Sequence, residues 1–412
     1  YKRQGESLAF RLVDLGDWDV WVEGPRPTPE GPRSGSSGFE PVHMKIAVDL
    51  ETRDPDFEAR AEIECVAEQS GRRVLPFDLT MALDVVEVTD PDGHPLPWSR
   101  DGGRTLVLLP APTVAGEPVR IVVHYRGDLL YETRPGSFLS RSTIGWTPRI
   151  GTVGRASYDL RFSWPSGLDL VCSGTPVEDG KDDGREFVRA VVDVPVLGVS
   201  FELGKFDFFT DTLGPTTIVL ALPSTGSRIA PADDIRAVVK LALAYQQRWF
   251  GAYPLERLTV AFVPRSSSQG ALSFVTMSEG LLREPGSGLY VTGRRALPRE
   301  LLRTDLFATL AHEIAHQWWG NRVGWRSGRD QWLSEALAEF VEERFLRDVL
   351  EIDARDLAER AEWAKRGYES ATGLDRPPHA YGPPVLGVRL DSTLSADAYR
   401  GVVYDKGSTV FT

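Results

Sequence analysis

Ala311–Gly320 reads AHEIAHQWWG and holds His312, Glu313 and His316 in an H-E-x-x-H pattern. Residues four apart project from one face of an α-helix, so the two imidazoles can grip one metal ion. Glu313 directly follows the first of them, where its carboxylate can reach a water on that metal. Nineteen positions beyond His316 stands Glu335, inside DQWLSEALAEF. Two neutral imidazoles, one carboxylate and an open position make a catalytic zinc site holding one ion, whereas a structural zinc is closed by four protein ligands. A chain that continued H-x-x-G-x-x-H after the second histidine would take its third ligand there. This one has Trp319 and Arg322 at those places, so the third ligand must come from further on. Glu335 is the candidate, and Glu339, one turn later on the same face, is expected to be solvated or to support the site rather than ligate.

Other classes of function are excluded by bulk properties. The chain has 412 residues, 42% hydrophobic and 26% charged, which suits a soluble globular protein of two or three domains. Its net charge of −12 and pI near 5.2 do not make a phosphate-binding surface, so no nucleic-acid partner is expected. No apolar run is long enough to span a membrane, and no signal-like segment is present. The compartment and the oligomeric state stay open, a cytoplasmic setting being slightly favoured. Cys65 and Cys172 are too few for a disulfide framework and read as small buried apolar groups.

The elements that must position the motif follow from periodicity. Asp17–Val22 suits one strand, and Gly24–Gly38, rich in Pro, Gly and Ser, a linker. His43–Leu50, Ala59–Cys65, Thr105–Leu109, Val119–Tyr125, Ala156–Trp164 and Glu186–Val194 alternate apolar and polar residues between Asp-Gly turns. That texture predicts an antiparallel sandwich or saddle. His43, His94 and His124 lie there without partners at ligand spacing. Helical periodicity begins at Pro231–Phe250, with Ile235, Val238, Val239, Leu241, Leu243 and Ala244 toward a buried face. Leu258–Val263 and Phe274–Met277 read as buried strands. The metal-motif helix is expected from Thr304 to Gly320, a second from Gln331 to Leu350, a third over Ile352–Arg366, a loop at Arg376–Pro384 and a last helix within Ala396–Phe411. The division is a 1–39 segment and linker, a 40–220 β domain and a 221–412 domain of mixed texture.

HEIAHQWWGNRVGWRSGRDQWLSEALAEFVEERF resembles the aminopeptidase N family of zinc metallopeptidases, the gluzincins. That family has H-E-x-x-H, eighteen intervening residues, then Glu inside W-L-N-E-G-x-A. Here 317–334 intervene and Trp332-Leu333-Ser334-Glu335-Ala336 follows. Tyr404-Asp405-Lys406-Gly407 is similar to the family's Y-x-K-G, whose tyrosine stabilises the reaction intermediate; Tyr399 lacks that context. The resemblance implies an α+β multidomain fold, with an N-terminal β saddle before a thermolysin-like catalytic domain that is C-terminally incomplete at Thr412. It implies peptide substrates and zinc-dependent hydrolysis of the peptide bond, aminopeptidase-like. His312, His316 and Glu335 would hold the zinc, Glu313 would take the proton of the zinc-bound water, and Tyr404 would donate to the oxyanion.

One departure bears on specificity. The family's Gly-X-Met-Glu-Asn carries a Glu that holds the substrate's free amine. Matching on glycine puts Ser273 of Gly270-Ala271-Leu272-Ser273 in that place, and matching on the next strand puts Gly270 there. Neither is a carboxylate, and a buried ammonium without an anion is costly. Glu279 is the nearby substitute. The region around Gly270, Ala271, Leu272, Ser273 and Glu279 is the expected substrate-binding edge. An endopeptidase or a non-peptide hydrolase on the same scaffold is the alternative, and a non-catalytic peptide-binding scaffold the third.

Overall fold

The computed structural model describes residues 6–12, 18–25, 37–151, 154–226, 228–283, 302–325, 330–355, 357–358, 384, 399, 401–408 and 410–411. The chain forms two compact units, Tyr1–Gly204 and Lys205–Thr412. This boundary precedes the expected one at 220/221. The reason is pairing: Phe206–Leu213 and Thr216–Pro223 join the sheet of the second unit, Thr216–Pro223 lying parallel to Arg257–Val263. Most of the expected linker, of the third helix and of the Pro-rich loop lies outside the described residues.

The first unit is built of strands. Its largest sheet has seven, in the order Thr175–Asp182, Arg185–Val196, Ala156–Pro165, Phe39–Leu50, Phe57–Ala67, Pro118–Gly127 and Leu83–Thr89. Phe57–Ala67 alternates almost strictly between buried and exposed positions, as a strand wetted on one face must. The pairing is antiparallel except that Ala156–Pro165 runs parallel to Phe39–Leu50, so the sheet is mixed rather than antiparallel throughout. A parallel neighbour needs a long connection, and many residues separate the two strands in sequence. Glu6–Leu12 and Trp18–Pro25 pair as a separate hairpin. The core centres on Phe57, Trp146, Phe162 and Phe201, with Trp146 edge-on to Phe201 at 5.3 Å between centroids. Cys65 and Cys172 are buried and are not joined in a disulfide. His43 bonds Ser157, His94 bonds Asp90 and His124 bonds Glu58.

The second unit has a five-stranded sheet, ordered Phe206–Leu213, Thr216–Pro223, Arg257–Val263, Phe274–Ser278 and, at the edge, Gln269–Ala271. Arg257–Val263 is buried along almost its whole length, which is why its sequence LTVAFV shows no alternation. Helix α1 is Ala232–Phe250, α2 is Leu302–Ala315 and α3 is Gln331–Asp348. The buried stripe of α1 is Ile235, Val238, Val239, Ala242, Leu243 and Gln246, on the 3.6-residue period. Leu241, expected on that stripe, is 44% exposed because it falls off that period, between Val238 and Ala242.

The metal-motif helix is shorter than expected. Its α-helical pattern stops at Ala315, and a tight turn follows in which the amides of Trp318 and Trp319 both donate to the Ala315 carbonyl. Gly320 closes the turn at φ +90°, a conformation that favours glycine. Among the described residues no helix is long and apolar enough to cross a membrane. The expected last helix is represented by a π-type turn over Gly401–Asp405 and a helical turn over Lys406–Ser408.

Candidate metal centre

Three elements deliver the side chains. α2 carries His312 and Glu313, the turn after it carries His316, and the first turn of α3 carries Glu335. Ligating atoms of His312, His316 and Glu335 all lie within 4.8 Å of one another. Glu335 Oε2 is 3.5 Å from His312 Nε2 and 3.4 Å from His316 Nε2. Zinc–ligand bonds of about 2.0–2.1 Å in tetrahedral array put neighbouring donors roughly 3.4 Å apart, so the spacing and the donor set both fit zinc.

The far sides of the two rings fix which nitrogens face the centre. His316 Nδ1 lies 3.0 Å from the Trp319 carbonyl, which can only accept, so the neutral ring carries its proton on Nδ1 and can offer the Nε2 lone pair to a metal. His312 Nδ1 faces two carboxylates, Glu339 at 3.5 Å and Glu342 at 3.3 Å. Those outer partners orient a ligand and raise its basicity. Glu342 was missed, although its place seven residues after Glu335 put it on the same helical face.

The cluster is buried: His312, Glu313, His316, Glu339 and Glu342 all expose 8% or less. Burial pulls the His312 pKa down, but Glu335, Glu339 and Glu342 outweigh it and hold the imidazole well above its ordinary value. Burial likewise lowers His316, and the charge of Glu335 more than reverses this. Glu335 is pushed up by burial and pulled further down by both imidazoles, ending below the usual carboxylate range. Glu313 is raised, because its burial outweighs the nearby imidazoles. Carboxylates in this number, out of water, call for positive charge, and a divalent cation supplies it.

Tyr404 lies over the centre, its ring stacked on His312 at 5.8 Å between centroids. A Cβ on Gly407 would come 2.8 Å from Ala336 Cβ on α3. The small residues at 336 and 407 therefore let the Tyr404 segment close onto the helix that carries Glu335. Tyr399 packs edge-on against Tyr404 at 6.0 Å, and burial followed by the Glu335 charge pushes its phenol up.

With this geometry stands a match in sequence: residues 235–412 fit the Peptidase family M1 domain. Over these residues the chain is similar to that family. Among curated proteins it is 26% identical over 264 residues to human endoplasmic reticulum aminopeptidase 1, covering 57% of this chain and 27% of that protein. It is 25% identical over 204 residues to probable aminopeptidase 2 of Sulfurisphaera tokodaii, covering 47% and 24%. The chain thus spans about a quarter of the length of these relatives. In fold it is similar to an M1 zinc metallopeptidase of Deinococcus radiodurans, with a TM-score of 0.65 at 19% identity over 89% of this chain and 81% of that one.

The edge strand Gln269–Ala271 lies directly against the metal-motif helix. A Cβ on Gly270 would meet the Glu313 carbonyl at 2.3 Å and His316 Cβ at 2.8 Å, so only glycine fits. The Gly270 amide donates to the Glu313 carboxylate. Asn321 Nδ2 donates to the Gly270 carbonyl at 2.9 Å and to that of His316 at 2.7 Å. Gly270 and Ala271, expected beside a substrate, are partly accessible. Leu272 and Ser273 are not, at 3% and 1% exposure. Glu279 is fully buried at the start of a 3-10 turn, with Arg283 at 3.6 Å. A carboxylate so enclosed and paired does not present itself to a substrate amine. Gln317 and Asn321 were also missed; nothing local marks them, since their partners lie about fifty residues earlier.

Proposed function

We propose that this chain hydrolyses peptide bonds with zinc held by His312, His316 and Glu335, in the manner of an aminopeptidase. The observation that carries the reading is the pair of 3.4 and 3.5 Å separations from Glu335 to two imidazoles whose other nitrogens are already engaged. Zinc bound there supplies Lewis acidity, polarising a carbonyl and making water more acidic. Glu313, beside the first ligand and raised in pKa by burial, accepts the proton of the attacking water and returns it to the leaving amine. The Gly270 amide keeps that carboxylate aimed. Tyr404, stacked on His312, donates its hydroxyl proton to the developing oxyanion.

A second reading, an endopeptidase, is favoured by one feature. The places where the family keeps its amine-holding Glu carry Gly270 or a buried Ser273, and Glu279 is enclosed. Rates on an aminoacyl anilide with a free amine and on the same compound N-acetylated decide between them. Faster cleavage of the free amine is expected; preference for the blocked compound overturns the aminopeptidase reading. Cleavage of neither by zinc-loaded protein overturns both.

A further inference from the structure

Gln317 is fully buried, immediately follows the second histidine and has no part in the mechanism above. Its carboxamide Nε2 donates to the Ala271 carbonyl at 2.8 Å, and its Oε1 accepts from the Ser273 amide at 2.9 Å. The Tyr253 hydroxyl, which also reaches the Arg257 carbonyl at 3.0 Å, lies 3.3 Å from the same Oε1. The orientation of the amide is not arbitrary. A backbone carbonyl can only accept and a backbone N–H can only donate, so the carboxamide fits one way round. No charged group and no apolar one of this length satisfies both backbone partners.

These bonds grip an unusual piece of backbone. Ser273 sits at φ +68°, among the few non-glycine residues in the left-handed region. A residue held there is strained by roughly 1–3 kcal/mol, and surrounding bonds must hold it. The strained turn is what swings Gln269–Ala271 back antiparallel to Phe274–Ser278, with Gly270 opposite Val275. Gly270 is then pressed against the helix at the backbone of Glu313, its amide on the Glu313 carboxylate.

We propose that Gln317 is a positioning residue for the general base: its buried carboxamide fixes the Ala271–Ser273 turn and thereby holds the Gly270 amide on Glu313. The effect on rate rests on Glu313 acting as the base; the effect on the turn does not. The side-chain bonds of Gln317 go to Ala271, Ser273 and Tyr253 rather than to His312, His316 or Glu335. It registers the strand against the helix, so that a carboxylate facing a buried cluster keeps one aimed donor.

The test is Gln317→Met, which keeps length and removes both polar ends. Amide hydrogen exchange read by mass spectrometry over 269–273 is expected to speed up at least about tenfold, with α1 unchanged. Unchanged exchange there overturns the proposal whether or not the protein is a peptidase. In zinc-loaded protein with unaltered zinc content, kcat on the better anilide is expected to fall about 10- to 100-fold with KM within about threefold. Faster exchange with wild-type kcat also overturns it. Gly270→Ala displaces the same strand directly, so the double variant should lose no more than the worse single one; fully additive losses point to separate roles and overturn it. Should Gln317→Met not fold, Gln317→Glu keeps the acceptor for Ser273 and loses the donor to Ala271, and the same readings apply with smaller changes.

Discussion

Both units bury large side chains and do opposite things with them. In the first, Phe57, Trp146, Phe162 and Phe201 form a cluster whose polar handle is already spent, the Trp146 indole donating to the Val199 carbonyl at 3.0 Å. In the second, two histidines lie together with Glu313, Glu335, Glu339 and Glu342. The aromatic cluster lowers the free energy of the folded state by removing apolar area from water. The polar cluster raises it unless a cation is present, since each carboxylate has given up its hydration. One region is built for stability, and the other holds a cost that its ligand repays. Reactivity comes from that second arrangement.

The sharpest break between the two regions is Glu313→Gln. It removes the proton acceptor and leaves the three ligands intact, so kcat on the better anilide should fall about 10³-fold or more. Zinc measured after dialysis should stay at one per chain, and the urea midpoint should hold or rise, because a buried charge has gone. Near-normal turnover would contradict the role given to this carboxylate. The mirror experiment is Phe201→Ala in the first unit. Losing a buried ring from an aromatic cluster costs about 3–5 kcal/mol, seen as a lower urea midpoint. The zinc content of the folded protein should not change. A variant that lost zinc as readily as stability would blur the contrast between a stabilising region and a reactive one.

Tyr404→Phe asks whether the second region's chemistry extends beyond its buried cluster. The ring keeps its stacking on His312 and only the hydroxyl is lost. A fall in kcat of about 100-fold is expected, with KM nearly unchanged, because the missing bond is one made to a developing charge. Equal effects on KM and kcat would instead make Tyr404 a substrate contact.

The two regions were also unequally legible in the sequence. His312, Glu313 and His316 could be named because their chemistry follows helical spacing, and Glu335 because a carboxylate stands at the family-like interval after them; the structure brings the ligating atoms together. Glu342 obeyed the same spacing and was overlooked, which is a fault of the reading rather than of the signal. Gln317 and Ser273 are different. The bond between them joins a strand edge to a helix, and no pattern in either segment announces it. In the first unit, alternation located the strands of the large sheet but not the parallel pairing of Ala156–Pro165 with Phe39–Leu50, since direction is set by the path of the connection. The boundary at Gly204 was missed for a similar reason: Phe206–Leu213 and Thr216–Pro223 have strand texture like the strands before them, and only their partners in the other sheet assign them.

The smallest expected effect tests whether the first unit is as inert toward protons as its aromatic core suggests. Asp56, 4% exposed, accepts the amides of Leu129 at 2.7 Å and Leu130 at 2.9 Å. Burial outweighs these bonds and raises its carboxyl to about 6. A folded-state pKa above the unfolded one means that the native form holds the proton more tightly. The contribution to stability is then complete below about pH 4 and is lost as pH rises through about 6. The urea midpoint of the wild-type chain should carry a shallow decline across that window. Asp56→Asn keeps an acceptor for the backbone amides and cannot titrate, so it should flatten the decline while leaving the midpoint near pH 4 close to wild type. A wild-type midpoint that rose with pH through the window, and an unchanged slope in Asp56→Asn, would show that this carboxylate is ionised in the fold. The first unit would then hold a buried charge of its own, and the contrast with the metal centre would be one of number rather than of kind.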